Sequence, residues 1–126
     1  MRRLWAAIVL PLAVAACGPS QEDAAAYADA VRCYNASSMY SQMFLVTGEQ
    51  ESTRRLLDHA KALRSQAIAL GDKIGKDEKA VTAEFKNDDT GYLHRFYIVG
   101  GGGSLTPTGF AASEVLYCNL TPLLQQ

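Results

Sequence analysis

Apolar positions recur at helical spacing through most of this chain, and the interruptions between them fall at glycines. From Glu22 to Val46 there is no Gly or Pro, and Ala26, Ala30, Cys33, Ser37, Tyr40 and Phe44 share one face. Tyr27, Val31, Tyr34 and Leu45 lie beside them and widen the stripe to that of a core-facing helix. Thr47-Gly48-Glu49-Gln50 supplies a glycine stop and the Thr-x-x-Gln spacing of a capping box, so one helix ends there and a second begins. In that second helix Leu56, Ala60, Leu63, Ala67, Leu70 and Ile74 alternate spacings of four and three, the seam of an antiparallel bundle. Glu51 with Arg55, and Arg54 with Asp58, are i,i+4 pairs on its wet side. Gly75 reads as its C-terminal stop and Asp77 as the N-cap of a third helix.

Val81, Phe85, Tyr92, Phe96 and Val99 continue a helical stripe, interrupted by the turn-like Asn87-Asp88-Asp89-Thr90-Gly91. If the helix breaks at that turn, Tyr92 to Val99 becomes a strand; the sequence leaves both readings open. Gly100 to Gly103 end regular structure, and Thr106-Pro107 opens a last, shorter helix with Ala111, Val115 and Cys118 on its inner face. The pattern predicts an all-α domain over residues 24–126. Its expected form is an up-down-up-down four-helix bundle with a shorter fourth helix.

Composition narrows the classes. The 126 residues carry a formal net charge of -1, with 48% hydrophobic and 20% charged positions. That length suits one domain, and the balance fits neither a charged disordered tail nor a polytopic membrane protein. Without a basic block to release counterions from phosphates, nucleic acid is not an expected partner. The N-terminus departs from the rest of the chain. Arg2 and Arg3 precede Leu4 to Ala16, an apolar run broken only by Pro11. At about 1.5 Å per residue it is too short to cross about 30 Å of hydrocarbon, and it reads as the removable core of an export signal.

The residues that follow, Val14-Ala15-Ala16-Cys17, resemble the lipobox of bacterial lipoproteins, a resemblance confined to the first 17 residues. It implies cleavage between Ala16 and Cys17 and a diacylglycerol, with palmitate-type chains, on the Cys17 sulfur. Two or more acyl chains, at about 0.8 kcal/mol per buried CH₂, make a stable membrane anchor. Residues 1–16 are then a signal peptide, and residues 17–23 the lipidated cysteine and a polar tether reaching roughly 20 Å at about 3.6 Å per residue. Valine stands where leucine is commoner, three residues before the cysteine, and the residues that flank a twin-arginine signal are missing, which favours the general secretory route. Gly18 stands where aspartate is the familiar inner-membrane retention signal of enteric bacteria, which implies the outer membrane, facing the periplasm. Cleavage removes both N-terminal arginines and the only tryptophan, Trp5, and leaves a more acidic mature chain.

With Cys17 lipidated, Cys33 and Cys118 are the remaining thiols, and an exported domain lies where paired cysteines oxidise. In an up-down-up-down bundle the first and last helices can be antiparallel neighbours, which brings an early position of one to a late position of the other. A Cys33–Cys118 disulfide is therefore expected.

Catalytic and metal chemistry finds no matching pattern. The glycine run is followed by Ser-Leu-Thr-Pro, which fits neither a Walker nor a dinucleotide loop. His59 and His94 have no metal-ligand spacing, Asp88-Asp89 lacks the alternating carboxylates and distal glutamate of a calcium loop, and no serine sits in a Gly-x-Ser-x-Gly setting. No catalytic residue, cofactor or metal is expected. The leading expectation is a non-enzymatic, lipid-anchored interaction or accessory module of the bacterial envelope. An immunity or inhibitor protein against an envelope-targeting toxin or lytic enzyme is the alternative, and an enzyme using Glu84, Asp88 or His94 would need those side chains to converge. Because loops carry binding more often than scaffolds do, a protein partner is expected at Glu49, Gln50, Ser104 and Leu105, at the end of the bundle far from the membrane, rather than at Lys76.

Overall fold

The structure is a computed structural model that describes residues 20–46, 48–85 and 109–124. Its frame is a hairpin of two long helices, α1 (Gln21–Val46) and α2 (Gln50–Lys73), packed along their lengths. Ser20 starts α1: its hydroxyl accepts the Asp23 N–H at 2.9 Å, while Glu22 and Asp23 in the first turn complement the positive end of the helix dipole. The last three residues of the expected tether are thus already helical.

The hairpin turn satisfies the end of α1 with backbone alone. Glu49 N–H donates to the Phe44 carbonyl at 2.9 Å and Gly48 N–H to Leu45 at 3.2 Å, with Gly48 at φ +82. Of the capping box expected between Thr47 and Gln50, Thr47 lies outside the described residues, and Gln50 does not hold the position that such a box requires. Glu49 is the N-cap, so Gln50 is the first helical residue and not the third, and Glu49 makes no side-chain capping bond. The chain up to Glu49 is committed to closing α1, and α2 can start only after it. Thr53 secures the start instead, donating both its N–H and its hydroxyl to the Glu49 carbonyl at 3.0 and 2.8 Å.

The opposite end of the hairpin, its base, repeats the device at Gly75 (φ +86), where Lys76 N–H donates to Gly71 at 2.8 Å. Asp77 then caps α3 (Glu78–Ala83), its carboxylate accepting the Ala80 N–H at 2.8 Å. This short helix packs Val81 onto the base of the hairpin, and Phe85 beyond it lies 4.2 Å, ring centre to ring centre, from Tyr34. The expected continuation through Tyr92, Phe96 and Val99, the Asn87 to Gly91 turn, Asp88, His94, the Gly100 to Gly103 run and Thr106-Pro107 lie outside the described residues. So do the signal segment and Cys17.

The chain returns as α4 (Gly109–Tyr117), in which Glu114 meets Arg32 and Tyr117 meets Asp29, so α4 runs antiparallel to α1. Asn119 ends it in the left-handed conformation (φ 54), with Leu120 N–H on the Val115 carbonyl at 3.0 Å. α5 (Thr121–Leu124) then lies against α2, where Arg55 Nε donates to the Leu123 carbonyl at 3.4 Å. The described residues are all helical apart from turns, with no strand among them. The Cys33–Cys118 disulfide is present, with a Cα separation of 5.5 Å across 85 residues of sequence.

Two apolar clusters divide the core. Toward the Gly48 turn, the tip, Met39, Tyr40, Met43 and Phe44 of α1 close on Leu56 and on Ala111, Val115 and Leu120 of the returning segment. At the base, Tyr27, Ala30, Ala67 and Val81 form a second cluster. The seam read from Leu56 to Ile74 faces inward throughout, from fully buried Leu56 to half-buried Ile74. Leu45 departs from expectation: it is 65% exposed and Val46 is 78% exposed. Both occupy the last turn of α1, directly before the Gly48 turn.

Candidate functional site

The side of the hairpin that carries the disulfide bears a groove of about 550 Å³. Ala26, Ala30 and Cys33 supply the α1 wall, because positions three or four apart stack on one helix face. His59, Leu63 and Gln66 supply the α2 wall by the same spacing, and Tyr117, Cys118 and Asn119 close the end toward the tip. Both cysteines line the groove, Cys33 buried and Cys118 half-buried. His59 is half-buried here, and desolvation pushes its imidazole below the ordinary histidine value, which favours the neutral ring.

A charge network borders this groove. Arg32 donates through Nε at 2.9 Å and Nη2 at 2.5 Å to one carboxylate oxygen of Glu114, whose side chain is only 3% exposed. The guanidinium lies 3.5 Å from the Tyr117 ring centre, and the Tyr117 hydroxyl donates to Asp29. Hydrogen bonding to Glu114 raises the Arg32 pKa, and bonding to Asp29 raises that of Tyr117, so this tyrosine is held as a neutral donor. The network fixes α4 on α1 one turn away from the disulfide. On another side of α1, Tyr27 donates to Glu84, which also pairs with Lys76 at 3.2 Å. Burial is the largest cause of the upward push on the Tyr27 hydroxyl, with the Glu84 hydrogen bond next.

Of the residues singled out from sequence, Glu49 and Gln50 stand at the tip beside exposed Leu45 and Val46, and Ser104 and Leu105 lie outside the described residues. Lys76 lies at the opposite end, paired with Glu84. Glu84 is described, whereas Asp88 and His94 lie outside the described residues. Among the described residues no group of three or more His, Cys, Asp or Glu could hold a metal ion, and no helix is long and apolar enough to cross a membrane.

Sequence reasoning missed the Arg32–Glu114 pair and the groove. The signal was there: Arg32 is the lone basic residue of α1, and Glu114 the lone charged residue of 109–124. Each lies within four residues of a cysteine of the expected bridge. Comparison with protein-family models, with curated proteins and with solved structures returned no match.

Proposed function

We propose that the chain is a lipid-anchored protein of the bacterial envelope that acts as a non-enzymatic interaction or accessory module. The observation that carries this reading is the run from Arg2 through the apolar stretch to Val14-Ala15-Ala16-Cys17. The oxidised Cys33–Cys118 pair supports it, since disulfides persist in exported proteins and are rare where thiols are kept reduced. In this reading Cys17 holds the acyl chains, residues 18–20 connect to α1, and the domain stands with its base to the membrane. The whole mature chain is then an up-down-up-down four-helix arrangement.

The hairpin gives such an anchor a direction. α1 starts at the base and, with 26 residues at about 1.5 Å each, carries the Gly48 turn roughly 39 Å away. A partner protein is met at that tip, at Glu49 and Gln50 and at Ser104 and Leu105. Labelling cells with a clickable fatty acid tests the anchor: the wild-type chain incorporates the label and Cys17→Ala does not, remaining uncleaved or soluble. Incorporation that persists in Cys17→Ala removes the reading. Photocrosslinkers at Glu49 and Gln50 should trap a partner in cells more strongly than one at Lys76, and the reverse order would contradict the orientation.

A further inference from the structure

The Cys33–Cys118 disulfide is only partly covered, with Cys33 buried and Cys118 half-buried. Both cysteines line an open groove, and the more exposed of them, Cys118, sits at the junction of α4 and the Asn119 turn. Small side chains, Ala26 and Ala30, form part of the groove wall, with His59, Leu63, Gln66 and Tyr117 around them. Among the described residues the bridge is also the only covalent tie, apart from the chain itself, between residues 109–124 and the hairpin.

We propose that the groove is a thiol–disulfide exchange site, through which a dithiol reaches the Cys118 sulfur in the folded protein. A thiolate of the dithiol attacks Cys118 Sγ, a mixed disulfide forms, and Cys33 leaves as a thiolate that takes a proton from solvent. The second thiol of the reagent, as its thiolate, then displaces Cys118, which is protonated in turn. The dithiol is oxidised by two electrons and the Cys33–Cys118 bridge reduced by two. The reverse sequence closes the bridge from an oxidised partner. Opening leaves α4 and α5 held by Arg32–Glu114, Tyr117–Asp29 and Arg55–Leu123 and by the packing of Ala111, Val115 and Leu120. Exchange thereby leaves the cover of the tip cluster around Tyr40 and Phe44 to these non-covalent contacts. The inference rests on the groove and the bridge and does not depend on the Cys17 anchor.

The test is reduction of the purified, oxidised full chain in detergent, without denaturant, by dithiothreitol and separately by a protein with a Cys-x-x-Cys active site. Expected is a rate proportional to reductant concentration that exceeds the rate of global unfolding measured on the same sample. Gln66→Trp, which places a ring in the groove from an exposed position, should slow reduction by the small dithiol about tenfold or more. Ser65→Trp, exposed and outside the groove, should leave the rate unchanged. Reduction by the small reagent alone identifies a small dithiol as the groove's substrate, and reduction by both identifies a protein dithiol. A rate that levels off at the unfolding rate as reductant rises overturns the proposal, as does a Gln66→Trp protein reduced as fast as wild type.

Discussion

Substituting Gly71 by alanine places a methyl carbon 2.5 Å from Val81 Cγ2 and 3.3 Å from Tyr27 Cε1. Carbon atoms pack without strain at about 3.5–4.0 Å, so the added methyl overlaps Val81 by roughly 1 Å. Val81 is fully buried and cannot swing aside, which leaves α3 to move as a body. Overpacking of this kind costs about 1–3 kcal/mol, against about 1 kcal/mol gained from replacing a helical glycine with alanine. The net expectation is a loss of up to about 2 kcal/mol, or a Tm lower by up to roughly 15 °C for a domain of this size. Val81→Ala removes the methyl that clashes. Gly71→Ala introduced into that background should therefore be neutral or stabilising. Urea unfolding of the four proteins of this cycle, followed by circular dichroism with the disulfide intact, measures the coupling. A higher urea midpoint for Gly71→Ala alone, or an equal loss in both backgrounds, would refute close approach of α3 to α2 as the reason for glycine here.

Three further outcomes are expected. Replacing Cys33 and Cys118 by serine opens an 85-residue loop and should cost about 4–5 kcal/mol on the chain-entropy account, read as a lower urea midpoint; a loss below about 1 kcal/mol would contradict it. Arg32→Ala removes two charge-assisted bonds and a stacked ring contact and should cost about 1–3 kcal/mol, with Arg32→Lys intermediate because it keeps charge but not the flat fork; equal unfolding midpoints for Arg32→Lys and wild type would argue against the fork. Burial lowers the folded-state pKa of His59 below its ordinary 6.5, so the unfolded chain binds its proton first. The contribution of His59 is therefore fully present above pH 6.5 and is lost as pH falls toward the lower folded value; His59→Gln should show a smaller Tm drop than wild type between pH 7.5 and 5.5.

What could be read from the sequence was set by local chemistry. Gly48, Gly75 and Asp77 act on backbone groups within five residues of themselves, and the seam from Leu56 to Ile74 needs only the helical period. The Cys33–Cys118 bridge was legible across 85 residues because the expected compartment and the expected antiparallel pairing of first and last helices both pointed to it. Gly71 was not, since its meaning lies in the approach of Val81 after the chain has turned at Gly75. Leu45 misled because periodicity says which side of a helix is apolar and not how far along it the partner reaches. Thr47 and Gln50 misled for a related reason: spacing marks a possible cap, but the hydrogen bonds that close α1 decide where α2 begins. For Glu49 and Gln50, sequence indicated a turn, and the structure adds the exposed Leu45 and Val46 beside it.

The position of the bridge also sets how the protein would respond to being pulled. Tension applied between residue 20 and residue 124 passes along α1 to Cys33, crosses the sulfurs to Cys118, and leaves through α5. The chain enclosed between the cysteines, residues 34–117, carries none of it while the bond is closed. Only about 20 residues can then be drawn out, roughly 70 Å at about 3.6 Å each. Cutting the bond puts the enclosed chain in series and lengthens that reach severalfold. A single covalent bond thus makes the difference between a short, stiff tether and a long, extensible one, and most of the tip cluster, enclosed between the cysteines, is shielded from load until that bond opens.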